Sequence, residues 1–239
     1  MSDDMPIAVV TGANRGLGRA TVETLADEGF GVALTARSQE KADAAAGEIA
    51  SGSRLVTGFA MDVTDTAQVR ETVRAIHERF GKIDVVVNNA GIYVERDRPS
   101  TGLAVSPDVI SETLDTNTLG PYRVLQAVLP ILREQGHGRI INVSSQMARL
   151  ATMNGGSPGY RMSKTALNAL TTLVAAELGS DSGITINSVD PGWVQTDMGG
   201  PSADRGIAAG IDTIVWLARG EAEGNPTGKF FRDRAESDW

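Results

Sequence analysis

The 239-residue chain has no cysteine, which excludes disulfides, thiolate nucleophiles and Cys-ligated zinc. Its only histidines are His77 and His137, too few for a multi-histidine metal site, so no metal is expected. No apolar run reaches the roughly 18 residues that a membrane span needs. The opening Met1-Ser2-Asp3-Asp4 has neither the basic nor the apolar region of a signal peptide, so a soluble, cytoplasmic protein is expected. Basic excess is missing too: 22 Lys and Arg stand against 30 Asp and Glu, a net charge of −8. Neither nucleic acid nor an anionic membrane is an expected partner, since both need basic surface. What is present is ordinary globular composition, with 41% hydrophobic and 22% charged residues, at a length that suits one large α/β domain.

Short apolar runs alternate with segments of helical periodicity along the chain. Strands are predicted at Ile7 to Val10, Gly31 to Ala36, Leu55 to Ala60, Ile83 to Val87, Arg139 to Val143 and Ile184 to Val189. A seventh, terminal strand is predicted at Gly228 to Phe231. Between them the pattern predicts helices: one following Gly18, one over 38–50, one carrying Val69, Val73, Ile76 and Phe80, and one from about Pro107 to Arg133. Two more carry Leu167, Leu170, Val174 and Leu178, and Ile207, Ile211, Ile214, Val215 and Ala218. Residues 93–106 read as a charged loop. Strictly alternating strands and helices imply a parallel sheet covered on both faces. The expectation is a single doubly wound Rossmann domain over 1–239, with about seven strands.

The first strand runs into Thr11-Gly12-Ala13-Asn14-Arg15-Gly16-Leu17-Gly18. Glycines between strand and helix let the backbone turn tightly and approach a pyrophosphate, which the helix N-terminus then attracts. The fourth strand ends in Asn88-Asn89-Ala90-Gly91 and the sixth in Asp190-Pro191-Gly192, polar and small where ligands meet the carboxyl edge of such a sheet. Asn117 falls inside the long predicted helix, where Asn is disfavoured; a solvent-facing position and a functional one are both open. Tyr160 and Lys164 are one helical turn apart on one face. This pair reads either as an interfacial tyrosine beside a solvated lysine, or as a phenol whose proton affinity a cation lowers for exchange with a carbonyl or alcohol oxygen.

Taken in order, Thr-Gly-x-x-x-Gly-x-Gly at 11–18, Asn-Asn-Ala-Gly at 88–91, Asn117, Ser145, Tyr-x-x-x-Lys at 160–164 and Pro-Gly at 191–192 resemble the short-chain dehydrogenase/reductase family. Thr-Gly-Ala-Asn-Arg-Gly-Leu-Gly and Pro-Gly-Trp-Val-Gln-Thr-Asp-Met look like its carbonyl-reductase-like branch. Only 15 residues separate Ser145 from Tyr160, so a long insertion found in some members of that branch is absent.

The resemblance implies that Tyr160 exchanges a proton with the substrate oxygen and Ser145, rather than Ser144, hydrogen-bonds that oxygen. It implies that Lys164 holds the nicotinamide ribose and lowers the Tyr160 pKa, and that Asn117 keeps its helix open around a water leading to Lys164. Gly12, Gly16 and Gly18 would line the pyrophosphate, with Asn14 and Leu17 of the same loop also cofactor-binding; Arg15, inside that loop, would join Arg37 at a 2′-phosphate, and Asp62 and Val63 would contact the adenine. Asn89, Ala90 and Gly91 would pass the adenosine ribose, and Pro191, Gly192, Val194 and Thr196 would seat the nicotinamide.

Ala36 stands where an NAD-type site has an acidic residue, and Arg37 follows, so NADPH is expected over NADH. The implied activity is NADP-dependent interconversion of a carbonyl and an alcohol. A catalytically silent NADP(H) sensor or scaffold on the same fold is the alternative; an isomerase or lyase is disfavoured by the short stretch after Gly192. Met147, Leu150, Met153, Trp193 and Met198 suggest an apolar ketone or aldehyde as the small-molecule substrate, or else core. Leu125, Val128, Leu167 and Leu170 suggest a homodimer or homotetramer, or else packing on the sheet.

Overall fold

A computed structural model describes residues 5–50, 54–97 and 103–239. The strands are β1 (Ile7–Val10), β2 (Gly31–Ala36), β3 (Leu55–Ala60), β4 (Val85–Asn88), β5 (Gly138–Val143), β6 (Ile184–Val189), β7 (Phe230–Arg232) and β8 (Ala235–Ser237). They form one sheet in the order β3-β2-β1-β4-β5-β6-β7-β8. The helices are α1 (Gly16–Asp27), α2 (Gln39–Ile49), α3 (Thr66–Phe80), α4 (Pro107–Leu114), α5 (Gly120–Gln135), α6 (Pro158–Leu178) and α7 (Ile207–Ala218). The result is a single α/β Rossmann-like domain.

The strands are apolar on both faces because both are covered. β1 sends Ala8 and Val10 into one layer, where α1, α2 and α7 supply Val22, Leu25, Ala45, Ile49 and Ile214. Its alternate residues, Ile7 and Val9, enter the other layer with Val73 and Ile76 of α3 and Leu125 and Val128 of α5. Helix starts follow local chemistry: Asp65 accepts from the N–H groups of Ala67 and Gln68 to begin α3. The chain runs outward from β1 to β3, then crosses to β4 on the other side of β1. That reversal opens a crevice at the carboxyl ends of the strands.

Three expectations are corrected. The helix foreseen from Pro107 to Arg133 is not uniform: a π turn over Asp115–Leu119 joins α4 to α5. Asn117 is fully buried there. Its side chain donates to the Ile92 carbonyl (2.9 Å) and Ser163 Oγ (3.0 Å) and accepts from the Ile92 N–H (2.8 Å). Those bonds, unavailable to a solvent-facing Asn, hold the widened turn. The sheet has an eighth strand, antiparallel to β7. Its tight turn places Asp233 and Arg234 at φ 51° and 61° without a glycine, each held by an ion pair, to Arg205 and Asp212. Finally, Leu125 and Val128 are buried in the core layer against the sheet, with Leu170 partly buried beside it, and Leu167 is buried within the chain, so Leu125, Val128 and Leu167 are unavailable to a second subunit. The loop expected over 93–106 holds a short 3-10 turn, Val94–Asp97; its residues 98–102 lie outside the described residues.

Candidate active site

A cleft of about 1190 Å³ lies at the carboxyl edge. One wall is the glycine turn. Gly12 has φ +61°, and a Cβ there would stand 2.9 Å from the Ala90 Cα. A Cβ on Gly18 would stand 2.4 Å from Asn89 Nδ2. These glycines let two loops touch: Asn89 Nδ2 donates to the carbonyls of Thr11 (2.8 Å) and Gly12 (3.1 Å), and Thr11 Oγ1 accepts from the N–H groups of Asn89 and Ala90. Gly12 and Gly16 line the cleft with Asn14, Arg15 and Leu17. Gly18 is buried behind them. No side chain caps α1, so its first-turn N–H groups are left for a ligand.

Beyond the glycine turn, Arg37 emerges from β2 after the buried Ala36. Asp62 and Val63 face it across the cleft rim. Burial works against the Asp62 charge, but hydrogen bonds from Thr64 and the nearby Arg37 and Arg123 hold its carboxyl below its ordinary value. Arg15 pairs with Asp197 at 2.9 Å, with both side chains largely exposed.

On the opposite wall, Ser144 and Ser145 part company. Both line the cleft, but Ser144 is buried and donates to Asn168 Oδ1 (2.7 Å), whereas Ser145 is partly exposed. Tyr160 and Lys164 reach the same space from α6. Lys164 Nζ donates to the Val143 carbonyl (2.7 Å) and sits 5.8 Å from the Tyr160 ring centroid. Pro191, Gly192, Val194 and Thr196 close the floor beside Ala90 and Gly91. Asn117 does not touch the cleft; it lies one layer behind, near the Gly91 backbone.

Electrostatics differ from the expectation that Lys164 lowers the Tyr160 pKa. Burial raises the phenol above its ordinary value, against a Ser145 hydrogen bond, with the Asp190 charge adding to the rise. The ring keeps partial exposure to the cleft, but its packed surroundings dominate. Burial also lowers Lys164, to about 8. The sequence spacing reports the pair but not how dry its surroundings are.

Two residues were missed. Tyr93 stacks on Tyr160, with centroids 4.4 Å apart and planes at 27°. Glu95, buried, accepts from the N–H groups of Gly159 (2.6 Å) and Tyr160 (3.1 Å). No local pattern signals contacts 64 to 67 residues apart. Among the apolar loop residues, Met147, Trp193 and Met198 line the cleft; Leu150 and Met153 are exposed and are not part of its lining.

Comparison with known proteins decides the family: the short chain dehydrogenase model matches residues 6–206. The chain belongs to the short-chain dehydrogenase family. Its relatives within that family include a 3-oxoacyl-[acyl-carrier-protein] reductase of Escherichia coli, 35% identical over 83% of this chain and 77% of the relative. The short-chain reductase protein NovJ of Streptomyces niveus is 40% identical over 83% and 73%. A 3alpha-hydroxysteroid dehydrogenase of Mediterraneibacter gnavus is 34% identical over 91% and 85%. A short-chain dehydrogenase/reductase structure from Serratia marcescens superposes with a TM-score of 0.83 at 30% identity, covering 95% of each chain. This chain is therefore an oxidoreductase of that family, whose members bind a nicotinamide cofactor. The cleft fits one: an uncapped helix start, a glycine turn in which side chains would clash, and volume for a dinucleotide are all present. No described helix is long and apolar enough to cross a membrane.

Proposed function

We propose that the chain is an NADP-dependent oxidoreductase interconverting a carbonyl and an alcohol, with Tyr160 as general acid and base. The observation that carries this reading is the meeting of Ser145, Tyr160 and Lys164 on one wall, opposite the uncapped start of α1. Bound cofactor supplies or accepts the hydride. Tyr160 donates its proton to the substrate oxygen in reduction and takes it back in oxidation. Ser145 hydrogen-bonds the same oxygen as charge develops. Lys164 holds the nicotinamide ribose, and Asn117 positions the backbone beside it. Gly12, Asn14, Gly16, Leu17 and Gly18 form the pyrophosphate turn. Asp62 and Val63 take the adenine, Asn89, Ala90 and Gly91 flank its ribose, and Pro191, Gly192, Val194 and Thr196 seat the nicotinamide. The carbonyl-reductase-like motifs at 11–18 and 191–198 and the exposed Trp193 beside Met147 and Met198 favour a ketone or aldehyde with an apolar substituent. The names of the 3-oxoacyl and hydroxysteroid relatives are compatible with that class.

NADPH is the proposed cofactor because Arg37 and Arg15 flank the rim where a 2′-phosphate would lie. The Arg15–Asp197 pair is exposed, and such pairs are weak enough to exchange for a phosphate. Arg37→Ala is expected to lower the NADPH/NADH ratio of kcat/KM by at least about tenfold, the value of one charge-assisted contact. Paired kinetics on both cofactors check this; an unchanged ratio contradicts the assignment.

A cytoplasmic homodimer or homotetramer is proposed on different residues from those first considered. Leu119, Tyr122, Met162 and Leu173 are exposed on α5, α6 and the turn before α5, and a two-fold interface would cover them. Light scattering at micromolar concentration should give at least twice the monomer mass; a monomer refutes it.

A further inference from the structure

The start of α6 has no side-chain cap of its own. Its first flanking residue, Ser157, sits at φ 49° and makes no side-chain cap. The missing bonds come from residues 92–95. Both Glu95 carboxylate oxygens accept there, one from the Gly159 N–H and one from the Tyr160 N–H. Gly159 permits this approach: a Cβ would lie 3.1 and 3.3 Å from those oxygens. A buried anion at a helix N-terminus, accepting two N–H bonds, is favoured by the helix dipole as well. Two residues earlier in the same segment, Tyr93 lies face to face with the Tyr160 ring. Its hydroxyl hydrogen-bonds Ser157 Oγ at 2.6 Å. The segment is itself anchored, since Asn117 bonds both the N–H and the carbonyl of Ile92.

We propose that residues 92–95 fix the Tyr160 phenol from outside its helix, with Tyr93 as positioning residue for the ring and Glu95 for the backbone beneath it. The inference rests on Tyr160 being the proton-transfer group. A phenol on a two-torsion side chain can swing about its Cα–Cβ bond. Stacking one face against Tyr93 removes that freedom, and the Glu95 bonds fix the point from which it swings. The segment follows directly on Gly91, at the cofactor cleft, so it ties the proton donor to the cofactor wall. Proton transfer tolerates little misplacement, whereas most of the proposed nucleotide contacts lie outside this segment, at residues 12–18, 62–63 and 191–196.

The test compares Tyr93→Phe, which keeps the stacked ring, with Tyr93→Ala, which removes it, and Glu95→Gln with Glu95→Ala. Each is assayed for kcat, for NADPH affinity by fluorescence, and for tetranitromethane nitration of Tyr160 located by peptide mass spectrometry. Tyr93→Ala should lose about tenfold or more in kcat while NADPH affinity stays within about twofold. Its Tyr160 should nitrate faster than in wild type. Tyr93→Phe should keep kcat within about threefold and leave Tyr160 protected. Glu95→Ala should lose more kcat than Glu95→Gln, which retains one acceptor. Should Tyr93→Ala not fold, Tyr93→Leu takes its place with the same expectations as Tyr93→Ala. Equal kcat losses in Tyr93→Phe and Tyr93→Ala, or a loss matched by weakened NADPH binding, would overturn the proposal, as would unchanged nitration in Tyr93→Ala. Absence of carbonyl or alcohol turnover in the wild type would instead defeat the proposed function; the nitration contrast still decides whether Tyr93 holds Tyr160.

Discussion

Tyr160→Phe is expected to abolish carbonyl reduction and alcohol oxidation while leaving NADPH affinity within about twofold. The substitution removes one oxygen and keeps the ring, so the stack on Tyr93 survives. What disappears is the proton carrier. General acid–base catalysis contributes about 10²–10⁴-fold, and kcat should fall by at least that. Because the hydroxyl is assigned to the substrate and not to the nucleotide, the loss belongs to transition-state stabilisation. The pH dependence follows from the raised phenol pKa. Reduction needs the protonated phenol, which persists through neutral and mildly alkaline pH, so its rate should show no decline there from Tyr160. Oxidation needs the phenolate and should climb with pH across the alkaline range. Steady-state rates in both directions, beside a fluorescence titration of NADPH, check each part.

Lys164→Ala should differ by damaging binding and rate together. Lys164 is buried and donates to the Val143 carbonyl, and its Nζ stands 5.8 Å from the Tyr160 ring centroid. Its removal takes away the proposed donor to the nicotinamide ribose, and kcat/KM for NADPH should fall by about 10²-fold or more, as for other losses of a charged hydrogen-bond donor in a dry site. Burial holds the wild-type ammonium pKa at about 8, so the charge is present below that pH and lost above it. NADPH affinity in the wild type should therefore weaken, by about fivefold, as pH rises through 8, and Lys164→Ala should show no such step. A pH-independent affinity in the wild type would contradict the assigned ribose contact.

The strands were legible because a sheet covered on both faces leaves continuous apolar runs, and the glycine turn because strand, glycines and helix stand in immediate succession. Both signals are local. The failures are of the opposite kind. Nothing in Arg232-Asp233-Arg234-Ala235 announces a tight turn, since ion pairs to Arg205 and Asp212 substitute for a glycine. Asn117 stood out as unusual within a helix, yet its widened turn depends on Ile92 and Ser163, distant in sequence. The apolar residues Leu125 and Val128 could not say whether their partner was a second subunit or the sheet. Tyr160 and Lys164 were visible as a pair, but their pKa directions come from burial, which spacing does not report. Tyr93 and Glu95 sat in a charged loop with no periodicity, and only the fold brings them to the start of α6.

The proposed reaction is reduction of a carbonyl by NADPH in this cleft through Tyr160. It is tested most directly by NADPH absorbance at 340 nm during incubation of the wild type and Tyr160→Phe with a panel of apolar ketones, aldehydes and 3-oxoacyl thioesters. NADPH consumption is expected by the wild type with at least one member, and none above background by Tyr160→Phe. Tight NADPH binding without consumption by the wild type, or equal consumption by both proteins, would contradict it.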